Sequence, residues 1–441
     1  MTALTIEMLA KTVSEVKQRE VMTNPDKVYF PFLGEDNIFT NGFKLNNVMF
    51  TIPGTNFKVY WYGFLIALGI LIAMVYGFRK MRSFGINPDK ATDSIIGGLI
   101  GAVIGARLYY VIFSLSDYMT ESGSIDWGSV ISVRDGGLAI YGGLIGAILV
   151  GGIIAKIEKL KLITMLDVAA PCFLIGQAIG RWGNFFNQEA FGSNTTLPWG
   201  MMSAKTVDFL GQVQTELADK AGVVVDQYSP VHPCFLYESL WCILGFVLLH
   251  LYAKHRKFDG EVFLMYIGWY GLGRFFIEML RTDSLYLANI KVSELVAGTC
   301  VLVSIVLIII FRSMVKRNED YKFYADTALS MKQLAEYDMF EKMKSEKSEL
   351  KKKIRVAKAK GEDFSALQAE YNEKFGKNAV KPEIKIEEEK EEYSPIIEDD
   401  EPIDPDMDNI EDEADIEELN ELEPIVPTDS IEEKMEENDD E

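Results

Sequence analysis

Histidine is almost missing from this chain of 441 residues: there are three. Cysteine is nearly as sparse, with Cys172, Cys234, Cys242 and Cys300 and no CxxC pair. That excludes a zinc site of the usual spacing, and each cysteine reads as a small apolar residue in or near a helix. The glycine-rich stretches are not followed by Lys-Ser or Lys-Thr, so no phosphate-cradling nucleotide loop is expected. The first twenty residues, MTALTIEMLAKTVSEVKQRE, lack the apolar stretch and small-residue cleavage site of a secretory leader. Targeting is therefore expected from the first membrane helix itself.

Apolar runs are plentiful instead. A bilayer takes about 20 apolar residues to cross. Seven segments qualify, near 60–78, 94–115, 136–155, 163–183, 235–253, 261–280 and 292–311. The last is the cleanest. The fourth is the least certain, because Asp167, Pro171 and Arg181 interrupt it. The fold class expected is an all-α polytopic membrane protein of about seven transmembrane helices. Residues 60–312 form its membrane domain and 1–59 precede it.

Basic residues set the orientation. If the loop after the first helix is cytoplasmic, fourteen Lys and Arg flank the cytoplasmic ends. The opposite loops, 116–135, 187–232 and 281–291, carry five: Arg134, Lys205, Lys220, Arg281 and Lys291. The N-terminus is then extracytoplasmic, the C-terminus cytoplasmic, and the polar end of the fourth helix lies at the outer face. Residues 319–376 are charged and rich in Leu, Met and Ala, which suggests an exposed cytoplasmic helix or short coiled coil. Residues 377–441 are expected to be disordered: positions 381–441 hold 29 acidic residues against 4 Lys and no Arg. This tail is a solvated appendage or a platform for a basic cytoplasmic partner. The membrane and its lipids are expected partners; nucleic acid is not.

Small residues recur at four-residue spacing, Gly97, Gly101 and Gly105, then Gly142 and Gly146. This pattern lets helices approach closely. The ionisable residues are the harder feature. Arg107, Arg181, Arg274 and Glu278 lie in or at the ends of spans. Each costs roughly 2.5–3.5 kcal/mol at a helix centre. Glu278 shares a face with Arg274, so the two are an ion pair or part of a site. Gln177, Arg181, Asn184 and Gln188 fall on one helical stripe. They form either a polar helix end whose amides satisfy orphan carbonyls, or a site for an anionic headgroup, since guanidinium holds phosphate oxygens bidentately. A carboxylate such as Glu189 would repel phosphate and serves better to bind hydroxyls or hold an arginine.

At these residues the chain resembles the bacterial prolipoprotein diacylglyceryl transferase family. GRWGNFFNQEAFG (180–192) is similar to the family signature G-R-x-G-N-F-x-N-x-E-x-x-G at every fixed position. The likeness includes WYG (61–63), GARLYYVIF (105–113), DGGLAIYGGLIG (135–146), HPCFLYE (232–238) and YGLGRFFIEMLR (270–281), in family order. The resemblance implies transfer of the diacylglyceryl group of phosphatidylglycerol to the lipobox cysteine thiol of a prolipoprotein. A thioether forms, glycerol 1-phosphate leaves, and neither nucleotide nor metal is required. It implies essential roles for Arg181 and Arg274. It implies that Tyr62, Asn184, Asn187, Glu189, Gly192 and Tyr270 shape the phospholipid site, with Arg107 and Glu278 next. Where many members carry a histidine before Gly-Gly-Leu, a candidate base, this chain has Tyr141. That leaves either arginine-assisted thiolate formation or Tyr141 as a donor to phosphate. Cys234 stands where serine is more familiar.

Two other classes compete. A transporter or channel for an anionic solute would use intramembrane arginines, yet no internal repeat is visible. A membrane anchor displaying the acidic tail leaves those arginines unexplained. Cutting the chain near residue 318 is expected to spare an enzyme and to disable a scaffold.

Overall fold

The computed structural model describes residues 20–34, 37–119, 124–132, 136–221, 224–282, 286–287 and 290–375. All lie in one of the two units into which the chain divides, Met1–Glu388. The acidic tail, Arg134 and Asp135 fall outside the described residues.

Helices dominate. In chain order they are α1 (Trp61–Met81), α2 (Pro88–Phe113), the short α3 (Trp127–Ile131), α4 (Ile140–Ile157), α5 (Leu162–Asn187), α6 (Ala204–Ala221), α7 (Cys234–Tyr252), α8 (Glu261–Leu280), α9 (Val292–Arg317), α10 (Ala328–Lys360) and α11 (Ser365–Phe375). Among the described residues six are long and apolar enough to cross a membrane: α1, α2, α4, α5, α7 and α9. The span that drops from the expected seven is α8, which carries Glu261, Arg274 and Glu278. The doubted fourth span, α5, qualifies despite Pro171. Its Asp167 has a use: it accepts the Gly260 and Phe263 N–H groups at 2.6 and 2.9 Å and so caps the start of α8.

Two antiparallel seams organise the bundle. Along α1 and α5, Tyr62 lies on Gly183, Gly69 meets Gly176 and Gly77 meets Cys172. Along α2 and α4, a Cβ on Gly105 would stand 2.4 Å from the Gly142 carbonyl oxygen, and one on Gly101 2.5 Å from that of Gly146. The expected small-residue packing is present, and only glycine fits it. Between α7 and α8 the Trp241 and Trp269 rings stack at 4.2 Å. Each indole N–H donates to the other's backbone carbonyl, at 2.9 and 3.0 Å.

Strands that the all-α expectation did not include bind the N-terminal segment to the long loop before α7. β1 (Lys27–Tyr29) pairs with β2 (Phe43–Lys44) and with a later strand, Met202–Ser203. Beneath them Val28, Leu45, Phe185, Phe191, Met201 and Val231 share one apolar core. A hairpin, Val48–Thr51 with Lys58–Tyr60, leads into α1. Residues 20–34 and 37–59 thus form a folded cap over the end of α5. Beyond α9, the expected charged helix is two helices, α10 capped by Thr327 and ended by Gly361 at φ 72°. Lys347 and Lys351 of α10 lie over the rings of Phe375 and Tyr371 of α11.

Candidate active site

Arg181 stands near the end of α5, six residues before the helix stops. Its Nε lies 2.6 Å from Glu238 Oε2, and its Nη2 donates to the Tyr270 hydroxyl at 3.3 Å. Arg274, on α8, donates from Nη1 to Glu238 Oε1 at 2.9 Å and from Nη2 to Glu278. Arg281 Nη1 approaches Glu238 Oε1 at 3.7 Å. Glu238 is only 3% exposed. One buried carboxylate of α7 therefore joins arginines from α5 and α8. Breaking such a pair on one side is costly, because a buried charge is left uncompensated.

Glu278 completes the α8 side. It takes Arg274, as its position one turn later implies, and also the Ser293 hydroxyl at 2.6 Å. Lys291 Nζ closes the end of α8 by donating to the Glu278, Met279 and Arg281 carbonyls. Tyr270 stacks on Tyr266, which receives the Gln177 amide at 3.0 Å. The Arg181 side chain is 22% exposed, and its Nη1 makes no hydrogen bond among the described residues. A guanidinium with two nitrogens fixed and one edge open is arranged to meet an anion.

The other residues singled out in the sequence divide. Asn184 and Asn187 both donate to Glu189 Oε1, at 3.0 and 3.2 Å. Glu189 thus holds two amides, not an arginine. The stripe through Arg181 ends early: Gln188 adopts φ 54° and terminates α5. Tyr62 covers Gly183, where any Cβ would stand 2.2 Å from the ring. Tyr62 and Asn187 also line an open hollow of about 570 Å³ with Asn47, Phe57, Lys58 and Tyr60. Gly192 serves the backbone: its N–H donates to the His232 carbonyl, and it bridges to Arg281. A Cβ there would meet His232, Leu280 and Cys234 within 3.0 Å.

Arg107 lies elsewhere. Its guanidinium donates to the carbonyls of Val130, Gly136, Gly137 and Ser129, at 2.6–2.9 Å. It ties down the loop between α3 and α4 and has no contact with Glu238. Tyr141, on the first turn of α4, is 72% exposed and has no hydrogen-bond partner among the described residues. His232, in the loop before α7, accepts or donates at Nδ1 with the Tyr237 hydroxyl, 3.1 Å away. Burial lowers its basicity below that of an ordinary histidine. No group of three or more His, Cys, Asp and Glu able to hold a metal occurs among the described residues.

The sequence reading passed over Glu238. Its signal was available, for it is the one acidic residue in the apolar run CFLYESLWCILGFVLLHLY. A lone carboxylate in such a helix demands a partner as much as a lone arginine does.

Residues 47–310 match the family model described as prolipoprotein diacylglyceryl transferase. The chain belongs to this family. A phosphatidylglycerol–prolipoprotein diacylglyceryl transferase of Clostridium novyi is 38% identical over 278 residues, 63% of this chain and all of the relative. One from Enterococcus faecalis is 41% identical over 286 residues, covering 64% of this chain and 94% of its own length. One from Clostridium perfringens is 41% identical over 280 residues, 62% of this chain and 97% of its own. The diacylglyceryl transferase match spans α1 to most of α9, so the three-arginine centre lies wholly inside it. The helices beyond α9 lie outside.

Proposed function

We infer that this bacterial multi-pass membrane protein transfers the diacylglyceryl group of phosphatidylglycerol to a prolipoprotein, and that the acceptor is the thiol of its lipobox cysteine. Family membership over the whole bundle supports the reaction. The observation that supports the site is the meeting of Arg181 and Arg274 on buried Glu238, beside Tyr270. The transporter reading has no observation in its favour.

The chemistry needs a cationic pocket at the end of an apolar bundle. The thiol sulfur attacks the glyceryl carbon that bears the phosphate. A carbon–sulfur bond forms, the carbon–oxygen bond breaks, and glycerol 1-phosphate leaves with the electron pair. Charge builds on phosphate oxygens, where guanidinium donors held in place in advance stabilise it. Glu238 holds the two arginines in register, so little reorganisation is needed when charge appears. The open edge of Arg181 meets the phosphate. Asn184, Asn187 and Glu189 form a fixed polar rim that orients the glycerol hydroxyls, and Tyr62 closes the hollow beside it. The free thiol has a pKa of about 8.5, so its proton leaves more easily beside this cationic field. The site faces the extracytoplasmic side, in line with the distribution of Lys and Arg around the helix ends.

The test is transfer in detergent with phosphatidylglycerol labelled in its acyl chains and a synthetic lipobox peptide. Label that resists hydroxylamine and disappears when the peptide cysteine becomes serine establishes the thioether. No label from folded protein, with a family member active in parallel, would refute the assignment.

A further inference from the structure

Three turns gather at the end of the bundle remote from the arginines: 82–87 between α1 and α2, 158–161 between α4 and α5, and 253–260 between α7 and α8. After α9 the chain comes back to all three. The Tyr324 N–H donates to Asp259 Oδ2 at 2.7 Å. Its hydroxyl lies 3.2 Å from the Lys159 carbonyl and 3.1 Å from Gln333 Oε1. Gln333 Nε2 donates to the Glu158 carbonyl, and the Gln333 carbonyl accepts from Asn87 Nδ2. Ser330 Oγ donates to the Gly85 carbonyl at 2.7 Å. The Asp259 N–H donates to the Tyr321 hydroxyl at 2.8 Å. The Arg256 guanidinium sits between the rings of Phe84 and Phe323.

These contacts go beyond the exposed helix or short coiled coil expected for 319–376. Tyr324, Ser330 and Gln333 are 5% exposed or less. Buried polar groups are kept only when paired, and here they pair with the backbone carbonyls of Lys159, Glu158 and Gly85. The receiving turn is shaped for them: at Gly85, φ +75°, a Cβ would stand 2.3 Å from Ser330 Oγ and 2.4 Å from Ala325 Cα. The exposed Arg82–Asp338 pair adds little by comparison.

The turns so joined set the two helices that carry the arginines. Asp167 of α5 caps α8 through Gly260 and Phe263, and the adjoining Asp259 takes Tyr324. Asp167 precedes Arg181, and Glu261 precedes Arg274, by about 20 Å of helix at 1.5 Å per residue. A displacement between α5 and α8 at this end therefore reaches Glu238 through rigid elements.

We propose that residues 320–338 are a strap, bound by the bundle as its own ligand, that fixes α5 against α8 and so positions the arginine centre. The strap lies beyond the residues the family model matches. Its effect on activity rests on the transfer reaction assigned above; its effect on stability does not. A cut near residue 318 falls at the root of this interface, so the cut that removes only the tail is after residue 376.

The test compares the full chain with chains ending after 376 and after 318, by thermal melting and by kcat and KM for lipobox peptide well below each melting point. The chain ending at 376 is expected to match the full chain. The chain ending at 318 is expected to melt at least about 5 °C lower, as loss of several buried hydrogen bonds requires, and to lose about 10-fold in kcat with KM little changed. If it does not fold, full-length Tyr324→Leu with Gln333→Ala takes its place, with the same expectation. Arg82→Cys with Asp338→Cys, closed by a thiol cross-linker in that background, is expected to restore kcat. Equal melting and equal kcat would overturn the proposal. Lower melting with unchanged kcat would also overturn it, since the strap would then be structural only. Loss of transfer in the full chain itself would instead count against the assigned reaction.

Discussion

The α2–α4 pair and the α5–α7–α8 trio are made of similar apolar helices and are held together by opposite means. In the pair, glycines bring backbones into contact, and Ser94 Oγ reaches the Gly151 carbonyl at 2.8 Å. The outer faces, including Ile104, Leu144 and Ile153, are exposed apolar surface suited to lipid. In the trio, Glu238 and Glu278 gather arginines from two helices, and two tryptophans lock a third contact. Between apolar helices in lipid, close packing supplies cohesion without charge. The charges of the trio therefore need a use beyond cohesion. Arg107 sharpens the contrast. It belongs to the glycine pair and spends four of its five N–H groups on backbone carbonyls, whereas Arg181 keeps an edge open.

The largest effect should come from the trio. Arg181→Ala and Arg274→Ala are each expected to lower kcat/KM by at least about 100-fold, the usual cost of removing one donor to developing charge. Size-exclusion profiles and melting curves check that the proteins remain folded. Folded variants with full activity would end the assignment of this centre. Glu238→Gln keeps shape and removes the charge that holds both arginines. A charge-assisted hydrogen bond is worth about 1.5–3 kcal/mol, so a loss of about 10- to 100-fold in kcat is expected. Wild-type kinetics in that variant would show that the arginines need no buried carboxylate.

The glycine pair should respond in stability before chemistry. Gly105→Leu would drive a side chain into the Gly142 and Gly146 backbone. Overpacking of this kind costs about 1–3 kcal/mol, so a lower melting temperature is expected. The fraction that remains folded should keep its KM for phosphatidylglycerol. A changed KM with unchanged melting would mean that the seam contacts substrate and that the contrast is misdrawn.

The legible parts of this molecule were those with a period. Apolar runs marked the spans, four-residue glycine spacing marked the α2–α4 seam, and the Arg274–Glu278 spacing marked an ion pair. What escaped had no period. β1, β2 and the strand Met202–Ser203 are two or three residues long, and β1 pairs with the last of them across more than 150 residues of sequence. Gln188 leaves its stripe because the backbone turns left-handed there, at φ 54°. The strap works through a tyrosine, a serine and a glutamine donating to carbonyls, and no composition or hydropathy pattern marks such contacts. Its charged surroundings made residues 319–376 read as an exposed helix or short coiled coil.

Tyr141 should give the smallest effect, and for that reason it tests the boundary between the two regions. It stands on the glycine pair's side, at the same end of the bundle as Arg181, where the family resemblance implies a histidine. An obligatory base must reach the proton it takes, directly or through one water. The Tyr141 ring is exposed, and its hydroxyl has no hydrogen-bond partner among the described residues. Tyr141→Phe is therefore expected to change kcat by less than about 3-fold, the span of a single weak hydrogen bond. Tyr141→His is the sharper companion: if histidine there supplies a base, kcat should rise and acquire a limb near pH 6.5. A rise would place the α4 end within reach of the thiol. Unchanged kcat in both variants would leave thiol activation to the arginine field of the trio. A large loss in Tyr141→Phe would mean that the glycine pair reaches the reacting atoms after all.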